Sequence, residues 1–220
     1  MGFTVVTGAN RGIGLELAKQ MHARGDAVVA VCRTASAELN ALGVRVEAEI
    51  DVSDARSISE LAQRLAGVEI DVLVNNAGIL RRESLEHLDF AGVEEQFAVN
   101  ALGPLRVTAA LLPLLRKGGK VAIVTSRMGS IADNASGGYY GYRMSKAAVN
   151  AAGMSLARDL AGRGIAVALL HPGMVATEMT GRHGVPPAEA AASVLARIDA
   201  LTLETSGRFI HAGTGEELPW

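Results

Sequence analysis

Short apolar runs rich in β-branched residues alternate along this chain with longer stretches of helical period. The runs predict strands at Phe3–Thr7, Val28–Cys32, Val44–Glu49, Val72–Asn75, Val121–Ser126, Ile165–Leu170 and Phe209–Ile210. The stretches between them predict helices at Ile13–Arg24, Ala37–Leu42, Asp54–Ala66, Phe90–Arg116, Tyr142–Ala161 and Ala188–Leu201. Strand and helix repeated in this way predict an α/β fold, a doubly wound parallel sheet with helices on both faces.

Length and composition favour one soluble domain over residues 1–220. The chain is 49% hydrophobic, has no internal repeat or shift in composition, and is shorter than the length at which single cores usually split. The chain has a net charge of −2 and lacks the basic clusters that bind nucleic acid or membrane surfaces. No apolar run approaches the length of a membrane span. The single cysteine, Cys32, and the absence of a signal segment favour the reducing cytoplasm.

A glycine-rich turn follows the first predicted strand. The segment "TGANRGIG" places Gly8, Gly12 and Gly14 between that strand and the next helix. Glycine lets the backbone turn tightly and approach a ligand, and the free N–H groups at the start of a helix attract phosphate. The turn therefore predicts a pyrophosphate site on a Rossmann fold, although its spacing departs from the G-x-G-x-x-G pattern.

The spacing Thr-Gly-x-x-x-Gly-x-Gly resembles that of the short-chain dehydrogenase/reductase family. Other motifs in the family's order are "NNAG" after the fourth strand, Asn100 in "FAVNALG", Ser126 at the end of the fifth strand, Tyr142-x-x-x-Lys146, and "HPGMVAT" after the sixth strand. The segment "GGYYGYR" and the ending from "SGRF" to "LPW" resemble small carbonyl reductases and C-factor-like members. The resemblance implies hydride transfer between a nicotinamide cofactor and a small carbonyl or alcohol substrate.

The resemblance also implies two sets of site residues. The catalytic set is Asn100, Ser126, Tyr142 and Lys146. The cofactor-binding set is Gly8, Asn10, Arg11, Gly12, Ile13, Gly14, Arg33, Asp51, Val52, Asn76, Ala77, Gly78, Tyr142, Lys146, Pro172, Gly173, Val175 and Thr177. Three members have a structural alternative: Asp51 as a helix cap, Asn76 as a support of the strand end, and Thr177 as the cap of a turn.

The charges near the glycine turn favour NADP(H) over NAD(H). In sites that prefer NAD, an acidic residue about 20 positions after the glycines binds the ribose hydroxyls. Here the second strand is followed by Arg33, with no acid until Glu38, and Arg11 adds a second cation within the turn. Guanidinium groups bind phosphate through charge-assisted hydrogen bonds, so this pair predicts recognition of a 2′-phosphate.

All three tyrosines lie within four positions, at 139, 140 and 142. On a helix Tyr139 would face Arg143, but only Tyr142 has a lysine one turn away, and the Lys146 ammonium favours ionisation of the phenol. Bringing a free phenol from a pKa near 10 to about 7 requires roughly 4 kcal/mol, which Lys146 and an oxidised nicotinamide would supply together. We expect Tyr142 to be the general acid in reduction, and Tyr139 and Tyr140 to wall the substrate pocket or to pack.

Two serines compete for the role beside Tyr142. Ser130 lies twelve positions before the tyrosine, close to the usual family spacing, whereas Ser126 lies sixteen before it. Ser126 ends the strand "VAIVTS", and strand ends face the ligand in this fold, so we favour Ser126 and a small insertion within "DNASGG". By resemblance, Ser126 hydrogen-bonds the substrate oxygen, and Asn100 holds a water that passes protons toward Lys146.

These features predict a cytoplasmic NADPH-dependent reductase of small ketones or aldehydes. Residues 178–187, "EMTGRHGVPP", would form its substrate lid, and the scattered histidines predict no metal site. One alternative is a C-factor-like signalling protein that binds the cofactor with little or no turnover. A methyltransferase or nucleotide-sugar enzyme fits poorly with Tyr-x-x-x-Lys. The family includes monomers as well as homodimers formed through the helices of Asn100 and Tyr142, so assembly stays open.

Overall fold

The computed structural model of this chain describes residues 2–220. Within them, seven strands are found: β1 Phe3–Thr7, β2 Ala27–Val31, β3 Arg45–Glu47, β4 Ile70–Asn75, β5 Leu115–Val124, β6 Ala166–His171 and β7 Phe209–His211. They form one sheet in the order β3-β2-β1-β4-β5-β6-β7, and every neighbouring pair is parallel. The order reverses between β1 and β4, which is where such sheets bind ligands beyond the carboxyl ends of their strands.

Helices cover both faces of this sheet. In the same residues the α-helices are α1 Gly12–Ala23, α2 Ala37–Asn40, α3 Ala55–Arg64, α4 Phe90–Phe97, α5 Gly103–Leu111, α6 Tyr140–Ala161 and α7 Pro187–Asp199. Residues of α1 and α7 share one apolar cluster with Val6, and residues of α3, α5 and α6 share another with Val5. Adjacent strand residues point to opposite faces, so both must be apolar. The predicted doubly wound α/β fold is confirmed.

The prediction of one long helix over Phe90–Arg116 is wrong, because the helix is interrupted and ends before Arg116. Helix α4 passes into a π-helical turn over Ala98–Leu102, from which α5 continues. Helix α5 ends ahead of Pro113, which lacks an N–H donor, and Arg116 already belongs to β5. Asn100 therefore lies in the π-helical turn, a local widening that often occurs at functional sites.

The start of α6 also differs from the prediction. The helix begins at Tyr140 rather than Tyr142, and Tyr139 precedes it with a left-handed φ of 52°. Tyr139 is the N-cap residue of α6, and its carbonyl accepts a hydrogen bond from the Arg143 N–H at 2.9 Å; that their side chains face each other stays a prediction.

Within residues 2–220, one helical segment is long and apolar enough to cross a membrane by length and composition alone. Phe90–Leu114 spans 25 residues, and an 18-residue window within it has a mean hydropathy of 1.4 with 44% of the window buried. The sequence predicts no segment of this kind, because it has no uninterrupted apolar run of that length. The segment packs against α3 and α6, and core helices of soluble proteins pass the same test, so it carries little weight for a membrane location.

Candidate active site

The glycine turn between β1 and α1 has no room for larger side chains. Gly8 has a φ of 67°, and a Cβ there would lie 2.8 Å from the Cα of Ala77. A Cβ on Gly14 would collide with the carbonyl oxygen of Gly8. Helix α1 begins at Gly12, and the N-cap residue Arg11 makes no side-chain cap, so the first N–H groups can donate hydrogen bonds to an anion. Two other predicted cofactor residues on this turn are half-buried, Asn10 and Ile13.

Both arginines predicted to bind a 2′-phosphate face a carboxylate. Arg11 forms an ion pair with Glu178, and their side chains are 68% and 66% exposed. The Arg33 Nη1 lies 3.9 Å from Asp51 Oδ2. Exposed ion pairs of this kind add little stability. The two guanidinium groups are therefore held near the carboxyl edge of the sheet without being committed to a buried partner.

Asp51 and Val52 follow β3 at this edge. The Asp51 carboxylate accepts hydrogen bonds from the N–H and the hydroxyl of Ser53 at 2.8 and 2.6 Å. Burial alone would raise the pKa of Asp51, but these hydrogen bonds and the charge of Arg33 lower it below its usual value. The alternative that Asp51 caps α3 is wrong, because Asp54 occupies that N-cap and accepts hydrogen bonds from two N–H groups of the first turn.

Asn76 ties the end of β4 to the glycine turn. Its Nδ2 donates to the carbonyl oxygens of Thr7 and Gly8 at 3.0 and 3.2 Å. The Thr7 hydroxyl in turn accepts hydrogen bonds from the N–H groups of Asn76 and Ala77. These contacts agree with a supporting role for Asn76, and they hold Ala77 against the turn.

Three side chains of the predicted catalytic set meet beyond the end of β5. Tyr142 and Lys146 are one turn apart on α6, and the Lys146 Nζ lies 5.7 Å from the centre of the Tyr142 ring. The Ser126 hydroxyl adjoins the Tyr142 phenol. All three residues are buried, and the Lys146 Nζ donates a hydrogen bond to the Val124 carbonyl at 3.0 Å.

Burial shifts both ionisable groups of this set toward their neutral forms. It raises the pKa of Tyr142 to about 12, a shift that the Ser126 hydroxyl opposes. It lowers the pKa of Lys146 to about 8. The direction for Tyr142 is opposite to the lowering expected from Lys146. The phenol therefore stays protonated at neutral pH in the chain alone, which is the form that a proton donor needs.

Asn100 reaches the same place from the π-helical turn. Its side chain accepts a hydrogen bond from the Ile79 N–H and donates to the Ile79 carbonyl, both at 2.8 Å. It also donates to the Ser145 hydroxyl at 3.0 Å. A Cβ placed on Gly78 would lie 3.3 Å from the Asn100 Oδ1 and 3.8 Å from the Lys146 Nζ. The structure thus brings Asn100 close to Lys146, as the proton-relay prediction requires.

Ser130 makes a different contact from Ser126. Its Oγ accepts a hydrogen bond from the Asp133 N–H at 3.1 Å, within its own loop. Strand β5 runs from Leu115 to Val124, so the predicted strand Val121–Ser126 starts six residues too late and ends two residues too late. Of the two serines, Ser126 is the one that adjoins Tyr142, and the catalytic role of either stays a prediction.

Tyr139 and Tyr140 lie at the start of α6, next to Tyr142. The Tyr139 N–H donates to the carbonyl of Glu83 at 3.0 Å, and Tyr140 is 36% exposed. Their assignment to the wall of the substrate pocket stays a prediction.

The predicted lid, residues 178–187, is closed at its base by a parallel bridge between Val175 and Val185. Thr177 caps the short 3-10 turn that opens the lid, and its methyl group would lie 3.3 Å from a Cβ on Gly12. Thr177 therefore caps a turn and also adjoins the glycine turn, so its two interpretations are compatible. The lid ends one residue earlier than predicted, because Pro187 is the first residue of α7.

A cavity of about 340 Å³ lies beside the lid, lined in part by Pro172, Gly173 and His211. His171 and His211 end β6 and β7, with ring centres 5.0 Å apart. Burial, together with the nearby positive charges, lowers the pKa of His171 to about 4, so it is neutral. Sequence reasoning missed His211 because only strand pairing brings it here. Among residues 2–220, no group of three or more His, Cys, Asp or Glu side chains is placed to hold a metal ion.

A buried polar network behind the site was also missed. Gln96 accepts a hydrogen bond from the Arg81 N–H at 2.8 Å and donates to the Glu83 carboxylate. The other Glu83 oxygen has no partner among the described residues, and the Glu83 carbonyl holds Tyr139. A single Glu or Gln in a polar segment belongs to no recognisable sequence motif. The network becomes visible only once α4 is packed against α6 in the folded chain.

A family model described as short chain dehydrogenase matches residues 3–185. The match covers the glycine turn, all four residues of the predicted catalytic set and most of the lid. The chain belongs to the short-chain dehydrogenase family. It is accordingly an oxidoreductase, and the family resemblance inferred from its motifs is confirmed.

Two relatives of this short-chain dehydrogenase differ in what their names imply. The 1-hydroxy-2-glutathionyl-2-methyl-3-butene dehydrogenase of Rhodococcus sp. strain AD45 is 45% identical over 227 aligned residues, which cover 100% of both chains. The C-signal of Myxococcus xanthus is 50% identical over 155 residues, which cover 69% of this chain and 93% of that protein.

Solved carbonyl reductases share its whole fold. The NADPH-bound carbonyl reductase from chicken fatty liver superposes with a TM-score of 0.91 at 29% identity, over 100% of this chain and 99% of the other. The carbonyl reductase Sniffer of D. melanogaster superposes with a TM-score of 0.92 at 27% identity, over 100% of both chains.

Proposed function

We propose that this short-chain dehydrogenase is an NADPH-dependent reductase of small ketones or aldehydes. The observation that carries the proposal is the meeting of Ser126, Tyr142, Lys146 and Asn100 at the carboxyl edge of the sheet, the same edge that carries the glycine turn and the uncapped start of α1. A buried proton donor next to an anion-binding turn suits carbonyl reduction by hydride, because the oxygen gains a proton as the carbon gains the hydride.

The residues of the glycine turn fit NADP(H). The close backbone approach at Gly8 and Gly14 and the free N–H groups of α1 suit a pyrophosphate, while Arg11 and Arg33 offer two cations for a 2′-phosphate. The likeness to an NADPH-bound carbonyl reductase supports the same choice. When bound, the nicotinamide supplies the hydride in reduction and accepts it in oxidation.

Each residue of the catalytic set then has one task. Tyr142 donates its proton to the carbonyl oxygen, and the Ser126 hydroxyl donates a hydrogen bond to the same oxygen as charge develops there. The Lys146 ammonium stabilises the phenolate that remains on Tyr142. The proton that Tyr142 gives up is replaced through Lys146, and a water held by Asn100 then passes a proton from solvent to Lys146.

Tyr142→Phe tests this proposal, because it removes only the phenolic hydroxyl. We expect NADPH affinity to stay close to that of the wild type and turnover to fall by roughly 10²- to 10⁴-fold. NADPH consumption over a broad carbonyl panel and a fluorescence titration of NADPH measure the two quantities. Tyr139→Phe and Tyr140→Phe are the matched controls and should remain active. Substantial turnover by Tyr142→Phe would rule out Tyr142 as the proton donor.

A signalling role is the second candidate, and the 50% identity to the Myxococcus C-signal favours it. In that case the chain binds the cofactor but turns over little or no carbonyl substrate. The same panel separates the two candidates, since steady NADPH consumption with any carbonyl supports the reductase.

The Rhodococcus relative favours a wider choice of test substrates. Its name describes an alcohol that carries a glutathionyl group, and it matches this chain along its full length. The panel should therefore include a glutathionylated alcohol with NADP⁺, measured in the direction of oxidation.

Assembly and compartment complete the proposal. We infer a cytoplasmic enzyme that acts on neither nucleic acid nor membrane. Leu102, Leu105 and Met144, on the helices of Asn100 and Tyr142, are 39%, 39% and 52% exposed and would be covered in a homodimer. Size-exclusion chromatography with light scattering distinguishes the homodimer from a monomer.

A further inference from the structure

The residue after Tyr142 holds the loop that follows Ser126. We propose that Arg143 is a positioning residue for the reaction: by clamping residues 127–138 to α6, it sets where Ser126 lies relative to Tyr142. This inference rests on the proposed function and adds to it a residue that acts through Ser126.

Among residues 2–220, the Arg143 guanidinium group donates only to this loop. Its Nε reaches the carbonyl oxygens of Gly137 and Gly138 at 3.4 and 3.2 Å, its Nη1 that of Met128 at 3.4 Å, and its Nη2 the hydroxyl of Ser136 at 2.8 Å. Within residues 2–220 it forms no ion pair, unlike Arg11 or Arg33. A planar fork with five donors suits several acceptors at once, which a lysine ammonium cannot reproduce.

Met128 connects this clamp to Ser126. Its carbonyl accepts from Arg143, and its N–H donates to the Ser126 Oγ at 3.2 Å. The next residue, Gly129, packs directly on α6, where a Cβ would lie 2.7 Å from the carbonyl carbon of Lys146. The short turn after Ser126 is therefore held between the Arg143 side chain and the α6 backbone, so a shift of this turn moves Ser126.

The far end of the loop depends on the same side chain. Gly137, Gly138 and Tyr139 have consecutive positive φ angles of 65°, 63° and 52°. A left-handed conformation is unfavourable for tyrosine and persists only where surrounding contacts hold it. Arg143 binds the two carbonyl groups that precede Tyr139. One guanidinium thus fixes both ends of the loop, next to Ser126 and next to Tyr139.

Three variants test the inference. Arg143→Ala removes the clamp, whereas Arg143→Lys keeps the charge and the helix but loses the fork. Arg158→Ala is the matched control, because Arg158 lies exposed on the same helix and makes no side-chain hydrogen bond to the described residues. For each variant, carbonyl reduction kinetics, NADPH affinity, thermal stability and hydrogen exchange of residues 127–138 are measured.

We expect Arg143→Ala to lower kcat/KM roughly 10- to 100-fold, since a displacement of about 1 Å of a catalytic group has an effect of that order. Its NADPH affinity should match the wild type, and exchange should accelerate in residues 127–138. The kcat/KM of Arg143→Lys should lie between those of Arg143→Ala and the wild type. Added guanidinium should restore part of the activity that Arg143→Ala loses. Arg158→Ala should behave as the wild type does.

Two results overturn the inference. In the first, Arg143→Ala matches the wild type in loop exchange and in kcat/KM. In the second, its activity falls together with NADPH affinity and thermal stability, and guanidinium restores none of it, which indicates general damage. A wild type that reduces no carbonyl refutes the proposed function instead. The exchange measurement, which needs no turnover, still decides whether Arg143 holds the loop.

Discussion

The guanidinium group of Arg11, in the glycine turn, forms an ion pair with the carboxylate of Glu178, at the start of the lid. The two residues are 167 positions apart in the sequence, and their contact joins the cofactor side of the site to the segment that would cover the substrate. Arg11 is also one of the two arginines proposed to bind the 2′-phosphate of NADPH. Glu178 and that phosphate therefore compete for one cation.

Glu178→Gln should strengthen NADPH binding, because it removes the competitor without removing Arg11. An exposed ion pair contributes at most about 1 kcal/mol, so we expect affinity to rise roughly two- to fivefold. NADH, which lacks the 2′-phosphate, should bind as before. Fluorescence titration with both cofactors measures the effect, and Glu204→Gln is the control, because Glu204 is exposed and forms no ion pair with the residues that the structure describes.

A substitution that removes the second arginine, Arg33, tests the same cofactor preference in the opposite direction. Arg33→Asp should weaken NADPH far more than NADH, because a charge-assisted hydrogen bond of about 1.5 to 3 kcal/mol is lost. A wild type that already prefers NADH would show that neither arginine selects the cofactor.

The choice between the two serines gives the second prediction. Ser126→Ala should lose more turnover than Ser130→Ala, because Ser126 adjoins the Tyr142 phenol whereas Ser130 bonds within its own loop. Loss of one donor to a developing oxyanion typically costs roughly 10²- to 10³-fold in kcat. Steady-state kinetics with one shared carbonyl compares the two variants. A larger loss in Ser130→Ala would reverse the assignment.

The sequence correctly predicts the location of those site residues that belong to a motif at the end of a single strand. Parallel strands bring their carboxyl ends to one edge, so Gly8 after β1, Asn76 after β4 and Ser126 after β5 were expected to converge, and they do. Sequence reasoning failed where a position depends on loop conformation or on distant packing. The left-handed Tyr139 and the Arg11 contact with Glu178 follow from no local pattern, since each requires the folded loop to exist first.

The buried lysine predicts an alkaline limit for the reaction. Burial lowers the pKa of Lys146 from 10.5 to about 8, so its ammonium is present below that pH and is lost as the pH rises through it. Only the ammonium stabilises the phenolate. The value of kcat/KM reports the free enzyme, so for carbonyl reduction it should fall about tenfold per pH unit above about 8.

The pKa of Tyr142, about 12, is too high to produce this limit. Measuring NADPH affinity at each pH separates a loss of cofactor from a loss of catalysis. An alkaline limit near 10.5, the usual value for lysine, would contradict the effect of burial on Lys146.

Substrate breadth follows from the lid. Residues 178–186 form a short lid, tied at its base by Val175 and Val185, and its large apolar side chains, Met179 and Val185, are 39% and 38% exposed. So small an enclosing surface yields little binding energy from remote parts of a substrate. We predict modest and broad activity on compact activated carbonyls such as diketones and aromatic aldehydes. Discrimination between neighbours should be weak, because a methylene in an apolar pocket is worth only about 1 to 3 kcal/mol.

A kinetic panel decides whether the short lid means an open site. Values of kcat/KM for compact carbonyls that differ only by single methylene groups should lie within about two orders of magnitude of one another. The panel must also contain bulky members, including a glutathionylated substrate of the kind named for the Rhodococcus relative. If one bulky substrate exceeds all compact ones by several orders of magnitude, remote contacts do contribute binding energy. Tyr139, Tyr140 or a partner subunit would then have to close the pocket in place of the lid.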